Sequence, residues 1–174
     1  INHLQTPDCQ DINCWQLLND NLFSKRPDIK LRLWGYYSNE CNLSFLTKMH
    51  NLRKFSADCL LTAKNIECIT SLKKLNSLSI GIFDIENFDF LNNIDNEELE
   101  FFSISATKSK KPSLKFLKNF VKIKRLYIEG QNKDIEVLSN LTKLEDLTLR
   151  SISLSNLEFI RALSNLWSLD IKLG

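Results

Sequence analysis

LTKLEDLTLRSISLSNLEFIRALSNLWSLDI, residues 141–171, is a stretch that repeats itself. Leu138, Leu141, Leu144, Leu147 and Leu149 set a register that Ile160, Leu163, Leu166, Leu169 and Ile171 follow. The spacing L-x-x-L-x-L recurs upstream as LRKFSA (52–57), LNSLSI (75–80), LEFFSI (99–104) and IKRLYI (123–128), and a weaker copy ends in KLRL (30–33). The last apolar positions, Leu33, Ala57, Ile80, Ile104, Ile128, Leu149 and Ile171, are 24, 23, 24, 24, 21 and 22 residues apart. Seven copies at nearly fixed spacing describe one repeated supersecondary unit.

The final L-x-L of each copy alternates with period two, as a strand with one buried face does. A unit this short cannot bury its own apolar side, so neighbours must stack into one continuous core. The strands are then expected to form a parallel sheet lining a concave surface. The returning segments space apolar residues by three (Ile66, Ile69, Leu72; Leu117, Phe120; Leu138, Leu141), which suits short 3₁₀ or α turns on the convex side. Repeats of 23–24 residues have room there for about two α-turns, and the shorter ones should be tighter.

The pattern resembles the leucine-rich repeat family over residues 28–174, and the last two repeats resemble the short units of internalin-like bacterial proteins. The resemblance implies an α/β leucine-rich repeat solenoid: a curved parallel sheet inside, short turns outside, and a helical cap over residues 1–27. One position departs from the family. Its usual Asn or Cys, three residues past the last strand position, is here Tyr36, Leu60, Phe83, Thr107, Gln131, Ile152 and Gly174. The buried asparagine ladder that joins successive turns is therefore missing.

The terminal core needs a shield. Residues 11–24 supply a helix with Asp11 as N-cap, Ile12, Trp15, Leu18 and Leu22 on one face, and Pro27 as a stop. Trp15 is expected to plug the core. Trp167 is expected to pack at the far rim. Gly174 follows the last strand closely, so either the natural chain continues or that strand is an open edge, able to pair with a second copy as a homodimer.

The rest of the composition mostly excludes. The chain has 174 residues, 43% hydrophobic and 25% charged, with a net charge of +2. That suits one domain, and argues against disorder, membrane insertion and nucleic-acid binding. Four glycines cannot build the usual phosphate-cradling loops, and no cofactor is expected. Cys9, Cys14, Cys41, Cys59 and Cys68 form no C-x-x-C pair and read as buried free thiols of a reducing compartment. The first thirty residues hold no apolar run long enough for a signal peptide, which favours a cytoplasmic location. A chain starting at Ile1 leaves room for a removed leader and a secreted or cell-surface product. His3 and His50 have no nucleophile beside them in register, so no catalytic constellation can be assembled. A metal site from His3, Asp8 and Cys9 competes poorly with a frayed terminus.

Function is therefore expected on the concave face, whose outward positions form three columns. They read Lys30, Lys54, Ser77, Phe101, Arg125, Asp146, Ser168; then Arg32, Ser56, Ser79, Ser103, Tyr127, Thr148, Asp170; then Trp34, Asp58, Gly81, Ser105, Glu129, Arg150, Lys172. The candidate partner-binding residues are Trp34, Phe101, Arg125, Tyr127, Glu129, Asp146, Thr148, Arg150, Asp170 and Lys172. Tyr and Arg are typical of binding hot spots. As a plain alternative, Arg125 beside Asp146 and Glu129 beside Arg150 form solvated charge ladders. Residues 84–100 carry seven acids and no base, and residues 108–125 carry eight bases and no acid. Stacking should set one strip against the other.

The expected activity is a non-enzymatic scaffold binding another protein on the concave sheet. By resemblance, such repeats serve as adhesins, effectors or inhibitors. One alternative is a carbohydrate or small polar ligand held by the serine run with Phe101, Tyr127 and Trp34. Another is the recognition part of a longer effector enzyme.

Overall fold

The computed structural model describes residues 1–6, 11–36, 40–95, 97–109 and 112–174. Ten strands are described: β1 (His3–Thr6), β2 (Lys30–Tyr36), β3 (Cys41–Asn42), β4 (Lys54–Leu60), β5 (Ala63–Lys64), β6 (Ser77–Ile82), β7 (Phe101–Ile104), β8 (Arg125–Glu129), β9 (Asp146–Ile152) and β10 (Ser168–Leu173). Eight of them form one parallel sheet in the order β1-β2-β4-β6-β7-β8-β9-β10, and β3 and β5 pair separately. The strands follow the register read from the repeat. Leu33 pairs with Ala57, Ala57 with Ile80, Ile80 with Ile104, Ile104 with Ile128, Ile128 with Leu149, and Leu149 with Ile171.

That register makes one row of the core. Leu31, Phe55, Leu78, Phe102, Leu126 and Leu147 lie side by side, all buried, with the Leu33–Leu149 row beside them. Each such side chain contributes about 1.5–3 kcal/mol by leaving water, which no single repeat could collect alone. Phe88, Phe102, Phe116 and Phe120 knit successive repeats together edge to face, with centroids 5.2–5.7 Å apart.

The returning segments are 3₁₀ throughout, at Ser44–Lys48, Ile66–Ser71, Asp89–Asn93, Lys115–Asn119, Ile135–Asn140 and Glu158–Ala162. The α-turns expected in the longer repeats do not form. The reason lies in the apolar spacing of three. Leu117 N–H donates to Leu114, Phe120 to Leu117 and Ile123 to Phe120, at 2.9, 2.9 and 3.0 Å. The residues that bury their side chains thus also close each turn, and a wider α-turn would rotate them off the core.

The missing asparagine ladder is replaced in two ways. Turn backbones bond directly across repeats: Phe83 N–H donates to Leu60, Asp84 to Leu61 and Lys108 to Phe83, at 2.9, 2.9 and 2.8 Å. At one point side chains do the work. Gln131, fully buried, donates through Nε2 to Thr107 Oγ1 at 2.6 Å. The Tyr36 side chain lies outside the described residues.

At the N-terminal end, Asp11 caps helix α1 (Ile12–Leu18) by accepting the Asn13 N–H at 2.8 Å. The helix widens into a π turn over Asn19–Phe23. Trp15 is buried and stacks on Phe45 at 4.1 Å, which makes it a plug between helix and repeats. Phe23 is buried too, whereas Ile12 is 43% exposed and does not share the inner face. The expected frayed terminus is instead strand β1, whose His3–Thr6 backbone pairs with Lys30–Leu33 and sets Leu4 against the core. Residues 1–27 therefore contain a strand as well as helix.

One irregularity is informative. Asp58 and Cys59 together oppose Gly81, a bulge between Ala57–Ile80 and Leu60–Ile82. A Cβ at Gly81 would lie 2.6 Å from the Asp58 carbonyl oxygen, so the bulged backbone occupies that space. Gly81→Ala should cost about 1–3 kcal/mol in urea unfolding, as overpacking against a rigid backbone does. An unchanged midpoint would contradict the bulge.

Candidate binding surface on the concave sheet

Two of the three columns assemble as expected. Across β4 to β10 the first runs Lys54, Ser77, Phe101, Arg125, Asp146, Ser168 in direct register. The second runs Arg32, Ser56, Ser79, Ser103, Tyr127, Thr148, Asp170. The third holds only at its far end, where Glu129, Arg150 and Lys172 align. The bulge breaks it earlier, so Trp34 stands opposite Cys59 and not Asp58.

The serine run is not the open polar floor it was expected to be. Ser56 is fully buried and Ser79 is 5% exposed, and the Ser56 hydroxyl has no hydrogen-bond partner. Arg32 reaches diagonally past Ser56 to Asp58, with Nε at 2.7 and 3.1 Å from the two carboxylate oxygens. Small side chains between such neighbours are closed over. Ser103 alone in the middle of that run keeps partial exposure.

Among the ten candidate residues, Phe101, Arg125, Tyr127, Asp146 and Thr148 come together. With Ser103 and Leu126 they line a pocket of about 280 Å³ on the concave face. The Arg125 guanidinium lies 5.5 Å from the Phe101 ring centroid, a cation–π geometry. Among the described residues Arg125 forms no ion pair with Asp146, although they are register partners. Nor do Glu129 and Arg150 pair. Glu129 accepts the Tyr127 hydroxyl at 3.2 Å, and Arg150 Nη2 reaches diagonally to Asp170 at 2.6 Å. Long side chains can choose the diagonal neighbour over the direct one, and the expected ladders are redrawn accordingly. Burial, followed by the nearby Glu129 charge, holds the Tyr127 phenol above its usual range.

Trp34 is 40% exposed at the first-strand end, away from this pocket, and Lys172 lies exposed on β10. Ser103 and Leu126 complete the pocket wall, though neither was a candidate: one reads as part of the serine run, the other as core. Trp167 does not pack at the rim; it is 76% exposed. Leu169 and Leu173 on β10 are exposed beside it, and β10 pairs with β9 alone among the described residues. The expectation of an edge-mediated homodimer rests on this strand.

The charged strips meet only in part. Lys108 pairs with Asp84 at 3.5 Å and Lys124 with Glu100 at 2.8 Å. Glu98 instead takes Arg53 at 2.7 Å, and Lys115 takes Asp134 at 3.7 Å. Lys110 and Lys111 lie outside the described residues, as do Asp8 and Cys9 of the three-residue metal suggestion. Among the described residues no group of three or more His, Cys, Asp or Glu is placed to hold a metal. Cys14, Cys59 and Cys68 carry free thiols, but none is buried as expected: Cys14 is exposed, and Cys59 and Cys68 are partly exposed. No described helix is long and apolar enough to cross a membrane.

The Arg150–Asp170 pair is well formed, yet both side chains are half exposed. Asp170→Asn should therefore change the unfolding free energy by no more than about 1 kcal/mol in a denaturant titration. A larger loss would make this pair a structural clasp and not a surface feature.

No protein-family model matches the chain, and no curated protein matches it by sequence. Solved structures do match by shape. Internalin C2 of Listeria monocytogenes superposes with a TM-score of 0.67 at 20% identity, over 99% of this chain and 81% of that one. A second internalin of that organism, inlF, gives a TM-score of 0.57 at 19% identity, over 99% of this chain and 62% of that one. The chain has the fold of a leucine-rich repeat solenoid, similar in shape to these two internalins.

Proposed function

We propose that this chain is a protein-interaction scaffold whose concave sheet docks a partner, with the C-terminal half as the footprint. The observation that carries the reading is the Phe101–Thr148 pocket. It sets two aromatic rings, a guanidinium, a carboxylate without an ion-pair partner among the described residues, and two hydroxyls around one recess. Aromatic and arginine side chains in a recess are the usual anchors of an interface, and polar groups around them give direction. Glu129, Arg150, Asp170 and Lys172 form the rim on β8 to β10. The fold shared with internalins supports an interaction scaffold in general.

A carbohydrate or small polar ligand is the second reading, and it contracts to the same pocket. Burial of Ser56 and Ser79 removes the serine floor, while Phe101, Tyr127, Ser103 and Thr148 keep a recess large enough for one sugar ring.

A capture experiment separates the two. Wild type and a Tyr127→Ala/Arg150→Glu variant are used as baits, each carrying a photo-crosslinking residue at position 148. A protein that crosslinks to the wild type and is lost from the variant supports concave docking. A partner held equally by both baits overturns this footprint. Retention of glycans but of no protein favours the second reading.

A further inference from the structure

The first-strand end of the concave sheet carries two neighbouring lysines that form no ion pair among the described residues. β1 sets His3 beside Lys30 of β2, and the Leu31–Phe55 register brings Lys54 of β4 next in line. Leu31 and Phe55 are fully buried, so alternation turns both lysines to the concave side. Neighbouring strands are ~4.8 Å apart, and like charges directly opposite each other are destabilising. The described acids close by form their hydrogen bonds elsewhere, although Asp28 and Asp58 still attract Lys54 and Lys30 through space. Asp58 is held by Arg32, and Asp28 takes Arg26 Nε and Nη2 at 2.8 and 2.7 Å. Among the described residues neither Lys30 nor Lys54 has an ion-pair partner. Burial also pulls the Lys30 ammonium below its usual range, more than Asp58 draws it back. The same column ends quite differently, with Arg125 beside Asp146.

Trp34 adds the second element. It lies four residues beyond Lys30 on the same strand face, about 13 Å away at ordinary strand rise, and is 40% exposed. Arg32, between them, is clamped by Asp58 and forms a fixed floor. An extended chain laid along β2 would present every second side chain to this face.

We propose that this end of the concave sheet docks an extended segment of a protein partner that carries one isolated acidic residue. A carboxylate seats between Lys30 and Lys54, and an apolar side chain four residues away packs on Trp34. The inference rests on the concave sheet being the binding face, and not on the Phe101–Thr148 pocket. A continuous nucleic-acid backbone fits poorly, because Asp28 and Asp58 flank the lysines and repel a run of phosphates.

Amide NMR of the whole chain at low salt tests this with three probes. They are a short peptide with glutamate and leucine four residues apart, the same peptide with glutamine for glutamate, and a thymidine oligonucleotide. The glutamate peptide should shift amides of His3–Thr6, Lys30–Trp34 and Lys54–Ser56, and the glutamine version should bind more weakly. Lys30→Glu/Lys54→Glu should weaken the glutamate peptide by roughly tenfold. Lys30→Gln/Lys54→Gln, which removes the repulsive pair without creating another, should also weaken the glutamate peptide and melt no lower than wild type; Lys30→Gln alone should give an intermediate loss of binding. Phe101→Ala, in the other half, should leave the peptide's affinity unchanged. Equal binding of both peptides overturns the proposal, as does tighter binding of the oligonucleotide. Shifts confined to the Phe101–Thr148 pocket, lost in Phe101→Ala, also overturn it while leaving the concave-face reading intact.

Discussion

The structure depends on one constraint: no repeat can bury its apolar strand face without the next repeat in register. The row from Leu31 through Phe55, Leu78, Phe102, Leu126 and Leu147 is the physical form of that constraint. A one-residue slip in any strand would turn its buried pair to solvent, so the pattern holds the register firmly. Everything on the concave face is positioned as a consequence. The side chains between the buried ones must point outward, in columns.

This is why so much of the fold is legible in sequence. Period-two alternation and a repeat length of 21–24 residues specify the sheet, its parallel order and its strand partners without further information. The register of Ile104, Ile128 and Leu149 follows directly. Other features escape because they depend on backbone detail that no periodicity encodes. The bulge at Asp58 moves Trp34 out of its column, and only Gly81 hints at it. The 3₁₀ geometry of the returning segments is decided by hydrogen bonds that close on the same every-third residues that form the core. Strand β1 has no partner motif of its own; it exists because β2 offers an unpaired edge.

The candidate site shows the same division. Adjacency of Phe101, Arg125, Tyr127, Asp146 and Thr148 could be read from the repeat, and these residues line one pocket. Which groups bond to which could not. Arg125 turns to an aromatic ring, Arg150 to the diagonal Asp170, and Tyr127 to Glu129 on its own strand. Those choices depend on side-chain reach and strand twist, and they leave Asp146 available to a ligand. The serine run fails for a related reason: a small side chain between larger neighbours is polar in sequence and closed in space.

The central claim is that the concave sheet, and not the convex turns, is the working face. Hydrogen–deuterium exchange of the chain with and without a captured partner tests it most directly. The account predicts slowed exchange over residues 101–104, 125–129 and 146–150, with the 3₁₀ segments on the opposite side unchanged. Protection confined to those 3₁₀ segments, or to the β10 edge, would contradict it.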